Sequence, residues 1–229
     1  MFKNRIVQGK FEHSCRPIDN KQTCVVHNTD HGRYYEVAKD VYYPSITTVL
    51  SESTDLGWWR EMKGEVEANR IMKTAAARGN QMHDLLERYI ANEPICTNEE
   101  MPSIKSSFLT GREAVDKIDH VYFQEKVLLS NTLRVAGRVD VVGKYDSIPS
   151  IIDFKTSNKI KLKENITNYF CQATAYSIMC EEMFGLKTDQ IVIIIFIDNI
   201  PAPSVFVESS NAYIGQLTSK INDFKGHYK

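Results

Sequence analysis

GRVDVVGKYDSIPSIIDFKTS, residues 137–157, predicts two neighbouring β-strands that carry two aspartates and a lysine. Valines flank Asp140 and isoleucines lead into Asp153, while serine and proline between residues 147 and 150 indicate a turn. Because side chains alternate along a strand, Asp153 and Lys155 face the same side. We therefore expect Asp140, Asp153 and Lys155 to lie close together on paired strands.

These three side chains point to one kind of chemistry. A pair of carboxylates offers the oxygen ligands that hard divalent cations prefer, and a lysine beside them adds positive charge where a phosphate would bind. The set therefore fits metal-dependent hydrolysis of a phosphodiester. The alternative is a solvated ion pair, which is the commoner origin of an Asp-x-Lys sequence on a strand and stabilises a fold little.

The hydrophobic pattern around these strands predicts the order α-βββ-α-β. The predicted strands lie at 121–129, 133–142, 150–154, 191–197 and 204–207, and the predicted helices at 165–183 and about 210–224. The run 191–197 is apolar throughout, as in a strand buried on both faces. We therefore predict an α/β (α+β) fold with a central mixed β-sheet flanked by helices.

The sequence divides the chain into two parts. Residues 1–43 predict a β-rich, hairpin-containing appendage, and residues 44–229 predict the main domain. Ser45 is the expected cap of a short helix that follows Pro44. Further helices are predicted at 56–77, 82–90 and 102–118, with an interruption at Arg78-Gly79.

Composition limits the class of protein. The 229 residues carry a net charge of −1, so nucleic acid would need a local basic surface, for which the lysines at 155, 159, 161 and 163 are the richest cluster. No apolar run approaches the roughly 18 residues of a membrane span, and the first residues contain no targeting signal. We expect a cytoplasmic protein with no membrane partner.

Two pairs of polar residues on predicted helices can join the site. His83 and Glu87 are four residues apart, as are Gln172 and Tyr176, so each pair shares one helix face. A neutral imidazole can complete a metal shell, and amide and phenol groups can position a phosphate. The alternative for each pair is ordinary packing with satisfied polar ends.

A separate zinc site is a weaker alternative elsewhere in the chain. Its ligands would be Cys15, Cys24, His27 and His31. The eight residues between the two cysteines exceed the usual zinc spacing, and the five cysteines as a set lack a C-x-x-C motif, so reduced thiols are expected.

Five motifs resemble, in order, those of the PD-(D/E)XK nuclease superfamily, and of its RecB-like branch in particular. They are GNQMH at 79–83, Glu125, GRVD at 137–140, DFK at 153–155 and QATAY at 172–176. The segment PSITTVL at 44–50 and the helix with two tryptophans are similar to the mitochondrial genome maintenance exonuclease and related phage exonucleases. The resemblance implies a restriction-endonuclease-like core.

The resemblance also implies a ligand set for Mg²⁺ or Mn²⁺. Asp140 and Asp153 would bind the cation together with His83 and the carbonyl oxygen of Phe154. Lys155 would orient the attacking water or help to deprotonate it.

Three further residues would act around these ligands by the same resemblance. Gln172 and Tyr176 would support the scissile phosphate and the geometry of the site, and Glu125 would lie behind the ligands. The helical spacing places Glu87 beside His83, also behind the ligands.

Relatives of this branch degrade DNA from its ends, often threading single strands under a helical arch. Here the arch would be an insertion at about 44–78, and the residues expected to contact DNA are Trp58, Trp59, Arg60, Lys63, Arg138, Lys159 and Lys161. Aromatic rings can stack on bases while cations bind the backbone. The alternative is that at least one tryptophan belongs to the hydrophobic core.

The expected function is that of a metal-dependent DNA exonuclease, phage-encoded and acting in the host cytoplasm on single-stranded or end-processed DNA. Replication or recombination proteins would be its further partners. The alternatives are a structure-specific endonuclease for flaps or branches, and a non-catalytic DNA-binding accessory protein for recombination. The presence of Asp140, Asp153 and Lys155 argues against the non-catalytic alternative.

Overall fold

The structure is a computed structural model that describes residues 6–14, 24–52, 57–96 and 100–226. Its strands are β1 Ile6–Val7, β2 Glu12–His13, β3 Val25–Thr29, β4 Gly32–Ala38, β5 Val41–Pro44, β6 Ile95–Cys96, β7 Ile118–Ser130, β8 Val135–Tyr145, β9 Ile148–Ser157, β10 Gln190–Ile197 and β11 Ser204–Ser209. Its helices are α1 Ile46–Glu52, α2 Gly57–Lys63, α3 Glu65–Ile90, α4 Pro102–Val115, α5 Thr167–Phe184 and α6 Ile214–Asp223.

A mixed six-stranded sheet forms the centre, in the order β11-β10-β9-β8-β7-β2. The pairs β9–β10 and β2–β7 are parallel, and the other neighbours are antiparallel. Helix α5 packs on one face with α1 and α6, while α3 and α4 cover the other. The predicted α/β fold with a central mixed sheet flanked by helices is confirmed.

Strand β10 shows why residues 191–197 are apolar throughout. All eight of its residues are buried, with Ile193 in the hydrophobic core beneath α5 and Val192 and Ile194 in the core beneath α3 and α4. A strand covered on both faces needs apolar side chains on both. The prediction of a buried central strand is therefore confirmed.

The helical region differs from the prediction in where it breaks. The expected interruption at Arg78-Gly79 is wrong, because α3 runs without a break through both residues. The break lies instead at Gly64, whose φ of 78° separates α2 from α3. Glycine costs a helix interior only about 1 kcal/mol, and Gly79 faces Thr156 of β9, so tertiary packing keeps the helix intact there.

Two other element boundaries are corrected. The helix predicted at 102–118 ends at Val115, and Ile118 already belongs to β7, where it is buried in the core. The turn between β8 and β9 consists of Asp146 and Ser147, both with positive φ, so Pro149 lies within β9. A two-residue turn of this kind matches the twist of an antiparallel pair.

The N-terminal sheet, defined here as β3, β4 and β5, packs against β7 and β8. Tyr35 and Tyr43 share a small hydrophobic core with Leu129 and Ala136. The predicted helix cap is confirmed, because the Ser45 hydroxyl accepts a hydrogen bond from the backbone N–H of Thr48 at 3.0 Å, at the start of α1. The N-terminal sheet is thus joined directly to the strands that carry the aspartates.

No helix in the described part of the chain is long and apolar enough to cross a lipid bilayer.

Gly137 is expected to be intolerant of a side chain. A Cβ atom there would lie 2.7 Å from Cε1 of Tyr176 and 3.2 Å from Cγ2 of Ile46. Gly137→Ala should therefore lower the free energy of unfolding by about 1–3 kcal/mol, measured by urea denaturation. The matched control is Gly215→Ala on α6. A Cβ atom there would have no neighbouring atom within 4 Å, and helix propensity should raise stability by about 0.5–1 kcal/mol. Equal stabilities of the two variants would contradict this account.

Candidate active site

The two aspartates lie where β8 and β9 separate. The strands pair in register as far as Val141 and Ile152, so the next residues on each strand are Asp140 and Asp153. Instead of a continued backbone ladder, Oδ2 of Asp140 accepts a hydrogen bond from the backbone N–H of Phe154 at 2.8 Å. The sheet thereby opens at the position where both carboxylates lie.

Asp153 is fully buried and is held from two directions. Its Oδ1 accepts a hydrogen bond from Nε2 of Gln172 at 2.9 Å, and its Oδ2 contacts the ammonium group of Lys155 as an ion pair. Within the described residues, that Oδ2 has no hydrogen-bond partner of suitable geometry. Burial raises the pKa of Asp153 although the positive charge of Lys155 lowers it. A buried carboxylate in this state is suited to a further cation.

Lys155 reaches the same place from two residues along β9. Its ammonium group also lies 5.2 Å from the centre of the Tyr169 ring. Burial alone would lower the pKa of Lys155, but the charges of Asp153 and Asp140 outweigh burial and raise it. In the metal-free protein Lys155 is therefore a fixed cation, which favours a role in orientation and charge stabilisation over proton abstraction.

Gln172 and Tyr176 lie on α5, one turn apart, as their spacing predicts. Nε2 of Gln172 lies 3.3 Å from the Tyr176 hydroxyl as well as bonding Asp153. Tyr176 is buried, and burial with the nearby aspartates raises its pKa well above the ordinary value, so the phenol stays neutral. Gln172 fixes the position of Asp153 through its hydrogen bond, and the Tyr176 hydroxyl accepts a second hydrogen bond from the same amide group.

His83 and Glu125 meet Asp140 on its other side. Possible ligand atoms of the three residues lie within 4.8 Å of one another, and Nδ1 of His83 is 3.5 Å from Oδ1 of Asp140. The pairing of β7 with β8 on either side of this point places Glu125 opposite Asp140. Glu125 has a φ of 49°, which is rare for a glutamate in a strand and is typical of functional sites.

The donor set consists of groups that suit a divalent cation. Oxygen atoms of Asp140, Asp153 and Glu125 are the ligands that Mg²⁺ and Mn²⁺ prefer, and an imidazole nitrogen is also a ligand for Mn²⁺. The buried Oδ2 of Asp153, whose only contact is the ion pair with Lys155 among the described residues, and the cluster of His83, Glu125 and Asp140 both fit such an ion. Phe154 has its backbone at this point and its ring in the core.

Glu125 carries a shifted pKa. Its pKa rises from 4.5 to about 7 because of burial and the negative charges of Asp140 and Glu87. Crowding of acidic groups raises the affinity of such a place for protons, and a metal ion would relieve the same repulsion. Glu125 is therefore a candidate metal ligand itself, rather than a residue that lies behind the ligands.

The raised pKa of Glu125 predicts a pH-dependent stability of the metal-free protein. Between pH 4.5 and about 7 the folded carboxyl keeps a proton that the unfolded chain has lost, so stability falls as pH rises through this window. Glu125→Gln should remove this loss. In EDTA, the variant should gain about 1–3 kcal/mol over the wild type between pH 5 and pH 8, measured by urea denaturation.

The matched control is Glu113→Gln, at an exposed position of α4. A difference between Glu125→Gln and the wild type that stays constant from pH 5 to pH 8 would contradict the shifted pKa.

A cleft of about 540 Å³ opens onto this cluster. Three parts of the fold line it: α3, the strands β7 and β8, and the N-terminal sheet. The lining residues are Val26, Asn28, Arg33, Tyr35, Asn80, His83, Asp84, Glu87, Glu125, Arg138 and Asp140. Four carboxylates outnumber two guanidinium groups, so the metal-free cleft repels a polyanion and attracts a cation.

The remaining residues predicted to bind DNA lie away from the cleft, with one exception. Arg138 lines it, with Nη1 at 3.7 Å from Oε2 of Glu125. Lys159 is exposed and Lys161 half-buried after β9. Helix α2 carries the other four, and the structure does not bring them into contact with the cluster.

None of the residues of α2 is buried, so the alternative that a tryptophan belongs to the core is wrong. The side chain of Trp58 is 64% exposed and that of Trp59 is half-buried. Arg60 bonds Glu65 and Asn69 and so joins α2 to α3, while Lys63 is exposed.

The alternative zinc site stays without support. Cys15 lies outside the described residues, and Nε2 of His27 is 3.2 Å from Oε2 of Glu36.

Comparison with known proteins gives no match to the sequence, either among protein-family models or among curated proteins.

Proposed function

We propose that this chain is a Mg²⁺- or Mn²⁺-dependent deoxyribonuclease that acts mainly as an exonuclease on single-stranded DNA or on DNA with a free end. The observation that carries the proposal is the meeting of Asp140, Asp153 and Lys155 where β8 and β9 separate, with His83 and Glu125 alongside. A solvated ion pair would explain neither the complete burial of Asp153 nor its hydrogen bond from Gln172.

The residues suit hydrolysis of a phosphodiester in distinct roles. Asp140, Asp153, His83 and Glu125 would hold a divalent cation, which supplies Lewis-acid activation of water and offsets the charge that develops on the phosphate. Lys155 would place a fixed positive charge beside the same phosphate, in a largely buried position where water screens it little.

Gln172 and Tyr176 would act by holding Asp153 rather than by touching DNA. Both side chains are buried, and the hydrogen bond from Gln172 fixes which oxygen of Asp153 faces Lys155. Fixed ligands reduce the reorganisation that the reaction requires.

The preference for a DNA end is supported by the motifs that resemble RecB-like exonucleases. It is compatible with a cleft that is bounded by α3, by β7 and β8, and by the N-terminal sheet. DNA is the proposed partner, and replication or recombination proteins are further proposed partners.

A time course with Mn²⁺ on linear and circular single-stranded DNA of one sequence tests the proposal. Wild type should degrade the linear strand and leave the circle intact, and Asp153→Ala should degrade neither. Cleavage of the circle by the wild type would favour the endonuclease alternative. Inertness of both proteins with DNA still bound would favour the accessory protein.

A further inference from the structure

The N-terminal sheet contributes one whole wall of the cleft. Val26 and Asn28 of β3, and Arg33 and Tyr35 of β4, line the same space as His83 and Asp140. A molecule bound in this cleft would therefore lie beside the N-terminal sheet. None of the motifs that resemble a nuclease includes these residues.

Arg33 is held in place from both its backbone and its side chain. Its N–H donates to Oγ1 of Thr48 at 3.0 Å, and its carbonyl oxygen accepts from the backbone N–H of Ser45 at 2.8 Å. Its Nε donates to Oδ1 of Asn28, its partner on the neighbouring strand, at 3.2 Å. The contact with Asn28 thus favours one orientation of the guanidinium group, and the side chain is exposed to solvent.

The two terminal nitrogens of Arg33 differ from those of other arginines around the site. Among the described residues they have no hydrogen-bond partner, and no carboxylate forms an ion pair with Arg33. Arg138, the other cation of the cleft, lies near Glu125. Arg33 therefore offers a full positive charge and a two-pronged donor, which matches two oxygens of one phosphate.

The wall is rigidly connected to the catalytic strands. Tyr35, two residues after Arg33 on β4, is buried in the hydrophobic core that contains Leu129 of β7 and Ala136 of β8. Since β8 also carries Asp140, the distance between Arg33 and the metal cluster is set by packed structure rather than by a loop.

A second depression of about 350 Å³ continues beyond Arg33. It shares Asn28 and Arg33 with the cleft, and its other lining residues are Gly32 and four residues with hydroxyl groups, Thr29, Thr47, Thr48 and Ser51. The hydroxyls of Thr29, Thr48 and Ser51 donate to backbone carbonyls, and those of Thr29 and Thr48 also accept from the backbone N–H groups of His31 and Arg33. Apart from Arg33 this surface is polar and uncharged, which suits the sugar of a nucleotide, whereas Arg33 suits the phosphate between two nucleotides.

We propose that Arg33, oriented by Asn28, binds a backbone phosphate of the DNA strand next to the scissile phosphate. The strand leaves the metal cluster along the N-terminal sheet and continues over the neighbouring depression. This inference rests on the proposed nuclease function and adds to it the binding residue and the path of the strand.

Steady-state kinetics on linear single-stranded DNA with Mn²⁺ test the inference. Arg33→Ala should raise KM about tenfold and change kcat less than about threefold, because the lost contact is a charged hydrogen bond to a neighbouring phosphate and not to the reacting atoms. The slope of log(kcat/KM) against the logarithm of the salt concentration is negative, and its magnitude should decrease by about one. Arg33→Lys should keep the salt slope while losing part of the affinity, since lysine keeps the charge but not the two-pronged geometry.

The matched control is Lys39→Ala, which removes one exposed positive charge from the turn between β4 and β5, outside the cleft. It should leave KM and the salt slope within about twofold of the wild type. An Arg33→Ala protein with wild-type KM and salt slope, while the wild type cleaves DNA, would overturn this inference alone. A wild type that neither binds nor cleaves DNA would overturn the proposed function together with it.

Discussion

Replacement of Asp153 with asparagine is expected to lower the rate of Mn²⁺-dependent DNA hydrolysis by at least about 10³-fold, equivalent to about 4 kcal/mol of transition-state stabilisation. Asparagine keeps the size of the side chain and an oxygen that can accept the hydrogen bond from Gln172. It removes the charge that would bind the cation and that now neutralises Lys155. The rate is measured under single-turnover conditions with saturating DNA.

The control for this variant is Asp146→Asn in the β8–β9 turn. Asp146 is exposed, forms an ion pair with Lys117 and has a positive φ, which asparagine tolerates. Its activity should stay within about twofold of the wild type, because exposed ion pairs contribute little. Comparable activity of Asp153→Asn and Asp146→Asn would remove Asp153 from the catalytic site.

Lys155→Ala is expected to separate metal binding from turnover. Removal of the ammonium should lower kcat by about 10²–10³-fold, because the phosphate loses a fixed cation in a largely buried place. The dissociation constant for Mn²⁺ should change less than about threefold at pH 8. Loss of the Lys155 charge raises the pKa of Asp153 and weakens binding, but it also removes the repulsion between the ammonium and the metal ion.

Isothermal titration with Mn²⁺ beside a rate assay measures both quantities. Lys187→Ala, in the exposed loop after α5, is the matched control and should match the wild type in both. Full turnover in Lys155→Ala would exclude Lys155 from the reaction. Loss of Mn²⁺ binding together with turnover would show instead that Lys155 acts only by keeping Asp153 in position.

Local patterns were sufficient to predict the centre of the fold. The β-branched residues that flank Asp140 and precede Asp153, and the apolar run 191–197 of β10, are consequences of burial in the strands of the central sheet. The spacing of Gln172 and Tyr176 likewise placed both on one face of α5. These features depend on neighbours within a few residues, which the sequence contains.

The position of the helix break could not be predicted because the helical region contains two glycines, and either could end a helix. Gly79 and Gly64 have the same intrinsic effect on a helix. Gly79 stays helical because α3 packs on β9 at Thr156. A Cβ atom at Gly64 would have no neighbouring atom within 4 Å, and this glycine takes a positive φ. Only the three-dimensional packing distinguishes them.

Long-range packing also decided the composition of the cleft. Glu125 meets Asp140 through the register of β7 and β8 and adopts a positive φ that no sequence pattern signals. Arg33 enters the cleft because β4 docks on β7 and β8, about a hundred residues further along the chain. Neither placement follows from the spacing of residues in the sequence.

The most direct test of the account is the position of Mn²⁺ in a crystal of the protein soaked at a concentration that supports DNA cleavage. The expected result is an anomalous difference peak bound by Asp140 together with Asp153, His83 or Glu125. An actively cleaving protein whose crystals show Mn²⁺ only at other residues would contradict it.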